Sequence, residues 1–228
     1  MTRRILVAAL LGAGLTGAAR ADVLWDQSAI DLNATISFAN AVATGFNGYT
    51  IFGMSDVTVP AGGWNINSVT TYYSELSWFP GDVSNAVLNV FPKTGALPVS
   101  TNDPRSSPTG SGLTVPVTLN ESSVGGNGVA EYTASGLNMT LAPGDYWIGL
   151  TPIGPGGFFG PDLQWVSSSH YGANQVYRSY PGGNWADEAV DSGVASADGC
   201  IKIQGTVPAP ASLGLLGLGG LVTLRRRR

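Results

Sequence analysis

The sole histidine of the chain, His170, lies in SSSHYG beside Ser167, Ser168 and Ser169. An imidazole there could activate a hydroxyl if a carboxylate such as Asp162 oriented the ring. Spacing alone does not build such a triad, because it is defined by geometry and serines are ordinary loop residues, so His170 is read as a loop or interface histidine. A pair of carboxylates flanking a glycosidic bond would make a hydrolase. Asp187 and Glu188 are adjacent, which on a strand turns them to opposite faces; Asp191 joins them only if ADEAVDSG turns, and Glu75, Glu121 and Glu131 could meet across sheets, at a separation that spacing does not give. No residue is therefore assigned a catalytic role. Zinc needs three or four nitrogen or sulfur ligands, which one histidine and one cysteine do not supply. Calcium takes carboxylate and carbonyl oxygens, and the loops NDP (102–104), GPD (160–162) and WADEAVD (185–191) could offer them without an EF-hand spacing. One structural calcium is the only cofactor left open. Cys200, in GCIKIQG, has no disulfide partner within the chain and is read as a small buried hydrophobe. Of the six tryptophans, Trp78 in SWFPGD and Trp185 in GGNWADE sit among turn residues, so these two are the candidates for an exposed ligand-binding pair that stacks on sugar rings.

The elements that must position these residues have a period of two. Leu113, Val115, Val117 and Leu119 alternate with polar residues and Pro116, which marks a strand at a sheet edge. Ala86, Leu88 and Val90 alternate in NAVLNVFP, as do Tyr146, Ile148 and Leu150 in GDYWIGL. Further strands are expected at 34–39, 49–54, 64–73, 128–134, 163–166, 174–180 and 199–207, separated by VPAGG, FPGD, GGNG, APGD, IGPGG and YPGGN. Residues 92–112 lack periodicity and read as an excursion loop. No helix is expected between the strands. Gly and Pro together make up about a fifth of the 228 residues (32 and 14), against roughly an eighth usually, which favours many short strands. About ten strands with no β-α-β rhythm predict an all-β, two-sheet antiparallel sandwich, most simply of jelly-roll type.

Both ends read as targeting segments. At the start, Arg3 and Arg4 precede an apolar run and the small residues Ala19 and Ala21, the pattern a signal peptidase cuts, so residues 1–21 are expected to be a signal peptide. At the finish stands VPAPASLGLLGLGGLVTLRRRR. As a helix from Ala211, its apolar run would reach about 21 Å, short of the roughly 30 Å hydrocarbon core. Arg225, Arg226, Arg227 and Arg228 would stay on the cytoplasmic side and stop transfer there. Proline at 208 and 210 keeps the preceding motif extended and open to a processing enzyme.

The order of motif, short apolar helix and basic end resembles the sorting signal of PEP-CTERM proteins, which occur in exopolysaccharide-making Gram-negative bacteria. The matching positions are Val207, Pro208, Pro210, Ala211 and Ser212; Ala209 stands where that family has glutamate. The resemblance implies an inner-membrane intermediate cut by an exosortase-type transpeptidase, then release to the cell surface or beyond.

Between the two ends, residues 22–206 suffice for one domain. Seven of the 11 basic residues lie in the targeting ends, leaving Lys93, Arg105, Arg178 and Lys202 against all 15 carboxylates, a net charge of −11. Such a domain is unsuited to nucleic acid, which requires a positive face. It suits a neutral polysaccharide, a divalent cation or plain solubility. The sequence is therefore read as a non-catalytic surface or biofilm-matrix protein associated with exopolysaccharide. A carbohydrate-binding module and a secreted polysaccharide hydrolase are the two alternatives.

Overall fold

The computed structural model describes residues 21–33, 42–43, 50–74, 83–105, 111–154, 164–180, 183–192 and 197–208. Residues 1–20, Ala19 among them, the expected strand at 34–39, Glu75, Trp78, Asp162 and the residues from Ala209 onward lie outside them.

Among the described residues twelve strands and one short helix follow in the order β1 (Asp22–Asp26), β2 (Val42–Ala43), β3 (Thr50–Val59), β4 (Trp64–Ser74), β5 (Asn85–Pro92), β6 (Leu113–Pro116), β7 (Thr118–Val124), β8 (Asn127–Leu141), β9 (Gly144–Gly154), β10 (Val176–Tyr180), β11 (Ala186–Asp187), α1 (Glu188–Ser192) and β12 (Ile201–Thr206). They form two sheets, in the orders β1-β12-β4-β8-β7 and β11-β10-β3-β2-β9-β5-β6, with β3 also paired directly to β9. Pairing is antiparallel except for the two residues of β2 against β9. The expected all-β sandwich is present, with more strands than the eight of a jelly roll.

Alternation explains the core. Ala86 and Leu88 on β5, Ile148 and Leu150 on β9, and Val57 and Val59 on β3 face Trp64, Ile66 and Val69 on β4, Ala134 on β8, and Ile201 and Ile203 on β12. All thirteen members of this inter-sheet cluster are at most 8% exposed. The opposite face of the seven-stranded sheet is covered too: Phe52, Met54, Val87, Phe91 and Trp147 gather there with Val176 and Trp185. β5 and β9 are thus buried on both sides, where the sequence led us to expect half-buried strands. Gly149 on β9 lies so close to the carbonyl of Gly53 that a Cβ would overlap it.

Pro116 does mark sheet edges. The expected strand over residues 113–119 divides at Val117, whose N–H donates to the Ser84 carbonyl (3.0 Å), so that β6 ends one sheet and β7 the other. β8 runs on past residue 134 because Gly136 (φ +70°) and Asn138 (φ +48°) form a bulge opposite residues 66–68 of β4. Glycine and asparagine tolerate that left-handed backbone. Two expectations are corrected. Residues 163–166 form no strand among the described residues, only single bridges at Gln164 and Val166. The segment EAVDS, expected to lack helix, makes the one-turn α1, where the Asp187 carboxylate accepts the Ala189 N–H (2.9 Å).

Candidate functional site

The polar centre of the molecule lies where β12 begins. Residues 197–200 are held by main-chain bonds from Gln175 N to Ala197 O (2.7 Å), Ser167 N to Asp198 O (2.7 Å) and Cys200 N to Trp165 O (2.7 Å). This traps the Asp198 side chain inside, fully buried. Its Oδ2 accepts three hydrogen bonds: from Gln27 Nε2 (3.1 Å), His170 Nδ1 (2.9 Å) and the Tyr171 N–H (3.1 Å). Its Oδ1 is buried without a partner. Burial chiefly, with the nearby Asp56 charge, raises the Asp198 carboxyl to about 6, against the opposing pull of the Tyr171 N–H and His170.

Gln27 follows β1 and is fixed by its own N–H to the Ile201 carbonyl (2.9 Å). Its Oε1 accepts the indole N–H of Trp25 (2.7 Å). A second carboxylate stands close by. Asp56 on β3 accepts Lys93 Nζ (2.6 Å) and the Ala173 N–H (2.9 Å), both on Oδ2. Lys93 Nζ also lies 4.7 Å from the centroid of the Trp147 ring. The turn of residues 170–173 therefore donates one N–H to each carboxylate. Gly172 between them has φ +74°, and a Cβ there would overlap the Asp56 carboxylate. At the surface above this turn the Tyr171 ring is 48% exposed and packs against half-buried Trp25, centroids 5.2 Å apart and planes tilted by 59°. The His170 side chain is 35% exposed.

Deeper in, Gln164 Nε2 donates to Thr71 Oγ1 and to the Cys200 carbonyl (both 3.2 Å), and Gln164 Oε1 accepts Gln175 Nε2 (3.1 Å). Gly199 sits against both amides, with no room for a Cβ. Cys200 is fully buried, and burial holds its thiol well above the usual range, so it stays protonated.

The residues singled out in the sequence are distributed as follows. His170 does pair with a carboxylate, but that carboxylate is Asp198. The neighbouring hydroxyls are otherwise engaged: Ser167 Oγ accepts the Ser169 N–H (3.1 Å) and Ser168 Oγ donates to the Ala29 carbonyl (3.1 Å). Among the described residues no serine is bonded to the imidazole. Glu121 and Glu131 occupy neighbouring strands with opposite parity, Glu121 across from Ala130 and Glu131 across from Asn120, so they face opposite sides of their sheet. Glu188 is buried, and its carboxyl is raised to about 8 by burial first and by Asp187 second. In the proposed calcium loops, Asp103 is paired with Arg105, and the Asp187 Oδ2 accepts Asn174 Nδ2 (3.1 Å). Among the described residues no three His, Cys, Asp or Glu side chains are gathered for a metal ion.

The expectation that Trp185 is exposed is corrected. It is 6% exposed, its indole N–H donates to the Asn102 carbonyl (3.1 Å), and it stands edge-on to Phe91 with centroids 6.3 Å apart. The loop of residues 93–105 folds over it, which the turn-like GGNWADE around it gave no sign of. Val207, the first residue of the tail motif, is 51% exposed just beyond β12. Trp25, Gln27, Tyr171, Asp56 and Asp198 were not singled out in the sequence. The only local signals are Gly172 and Gly199, each of which marks a backbone pressed against a polar side chain.

No family model, curated protein or solved structure matches the chain.

Proposed function

We propose that this chain is an exported, non-catalytic β-sandwich of the cell surface or of an extracellular polysaccharide matrix, delivered through its PEP-CTERM-like tail. The supporting observation is where the folded domain starts and stops. β1 begins at Asp22, immediately after the expected signal-peptidase cut, and β12 ends at Thr206, immediately before the Val207 motif. Asp22 pairs with Gly205, so cleavage after Ala21 and anywhere beyond Thr206 leaves that ladder whole. Both expected targeting segments can be removed without opening a described strand. The partners in this reading are signal peptidase, an exosortase-type transpeptidase, the inner membrane transiently, and polysaccharide. The net charge of −11 on residues 22–206 agrees with a neutral polysaccharide.

The test is made in a host carrying the sorting enzyme. Removing Arg225, Arg226, Arg227 and Arg228 should let the precursor pass into the periplasm, and the mature wild-type protein should have an intact mass that starts at Asp22 and lacks the basic end. Unchanged membrane retention of the truncated precursor, or mature peptides that run through to Arg228, would overturn the proposal.

A further inference from the structure

Exposed aromatic rings are normally left over from packing, and a lone one means little. The patch around Tyr171 is different because it is built from beneath. Asp198 Oδ2 binds Gln27, His170 Nδ1 and the Tyr171 N–H, and Gln27 in turn binds the Trp25 indole. One buried oxygen thus holds the His170 ring directly, the Trp25 ring through Gln27, and the backbone of Tyr171, whose ring packs against Trp25. Among the described residues, Tyr171 is the only aromatic side chain in the set of large hydrophobics left exposed. The inter-sheet core closes without it.

We propose that Trp25, His170 and Tyr171 form a binding subsite for one neutral sugar residue of a polysaccharide, a specific form of the matrix reading above and dependent on it. The Tyr171 face, flanked by Trp25 at 59°, offers an apolar corner for the C–H face of a pyranose. His170 keeps Nδ1 on Asp198, which leaves Nε2 at the partly exposed edge to exchange a hydrogen bond with a sugar hydroxyl. Charge selects the class: with Asp198 behind the patch and a domain at −11, a uronate or sulfated chain is repelled and a neutral one is not. His170 and Trp25 are already held by hydrogen bonds, so less side-chain entropy is lost there on binding.

The experiment is affinity electrophoresis of the mature secreted protein in gels containing dextran, mannan or xyloglucan, with alginate as the anionic counterpart. At least one neutral polymer should retard the wild type and alginate should not. Tyr171→Ala should weaken that retardation about tenfold. Tyr171→Phe, which keeps the ring, should stay within about twofold, and Leu113→Ala, an exposed apolar residue of β6, should change nothing. Retardation by none of the neutral polymers, retardation by alginate alone, or equal retardation of wild type and Tyr171→Ala would each overturn the inference. Intact masses from the same cultures separate the two readings. Normal processing with unchanged Tyr171→Ala binding removes the subsite alone, whereas an unprocessed wild type removes the sorting proposal.

Discussion

Glu188 gives the protein a pH dependence opposite to the usual loss of stability in acid. Its carboxyl is 3% exposed at the start of α1, with its N–H donating to the Gln175 carbonyl (3.0 Å). Burial, then Asp187, raises it from an ordinary 4.5 to about 8. Between those two values the unfolded chain has lost the proton and the folded chain keeps it, so the folded state binds more protons and its stability falls as pH rises. The slope from this one group is about 1.4 kcal/mol per pH unit, adding up to about 5 kcal/mol across the window at most. Above about pH 8 the slope ends. Glu188→Gln keeps the shape and the carbonyl acceptor and removes the titration. Urea unfolding followed by tryptophan fluorescence at steps from about pH 5 to about pH 8 should show the variant gaining on the wild type by roughly 1.4 kcal/mol per unit. Asp198, raised from 3.8 to about 6, adds a slope of the same sign at the acid end, but it is common to both proteins and cancels in the difference. Parallel stability profiles for the two proteins would refute the reasoning.

Two more predictions concern residues whose burial decides their role. Trp185→Ala should cost about 3–5 kcal/mol in denaturant unfolding, the usual range for a buried tryptophan, while leaving polysaccharide retardation intact. A loss of retardation without a loss of stability would return Trp185 to the surface role read from its sequence. Cys200 should fail to react with 5,5′-dithiobis(2-nitrobenzoate) in the native protein and react fully in urea, since burial both shields the sulfur and disfavours its thiolate. Rapid native labelling would refute this.

The strands were legible because alternation is a local property. NAVLNVFP and GDYWIGL alternate by themselves, and the structure pairs them as β5 and β9 in the register that stacks Leu88 on Leu150. What the pattern could not reveal was the second covered face. Val87, Phe91 and Trp147 are buried with Trp185 on the face away from the inter-sheet core, and the GGNW segment that brings Trp185 there has no periodicity to read. Trp185 misled for the same reason: its environment is set by Asn102, 83 residues away, and not by the glycines beside it. His170 was recognisable as the one imidazole, but proximity in sequence pointed to three serines. The bond that forms is to Asp198, and Gln27 reaches that carboxylate across 171 positions.

Why the fold keeps Asp198 follows from its cost. Burial raises its carboxyl to about 6, so at neutral pH the ionised form is held in a place that disfavours it. An apolar residue of similar volume is often as stable or more so in such a position. What an apolar residue cannot do is accept hydrogen bonds from the segment after β1 and from the turn of residues 170–173 at the same time. Asp56 does the equivalent for the seven-stranded sheet, binding Ala173 from that turn and Lys93 from the end of β5. The turn is therefore strapped between one carboxylate on β3 and one at the entrance to β12. Gly172, with no Cβ to collide with Asp56, is what lets it lie there. The apolar inter-sheet cluster contains neither carboxylate and no residue of this turn. The strapped turn instead fixes the orientation of His170 and Tyr171, and Gln27 fixes Trp25 beside them. A buried carboxylate kept at that cost to hold surface rings in place makes sense if those rings meet a ligand.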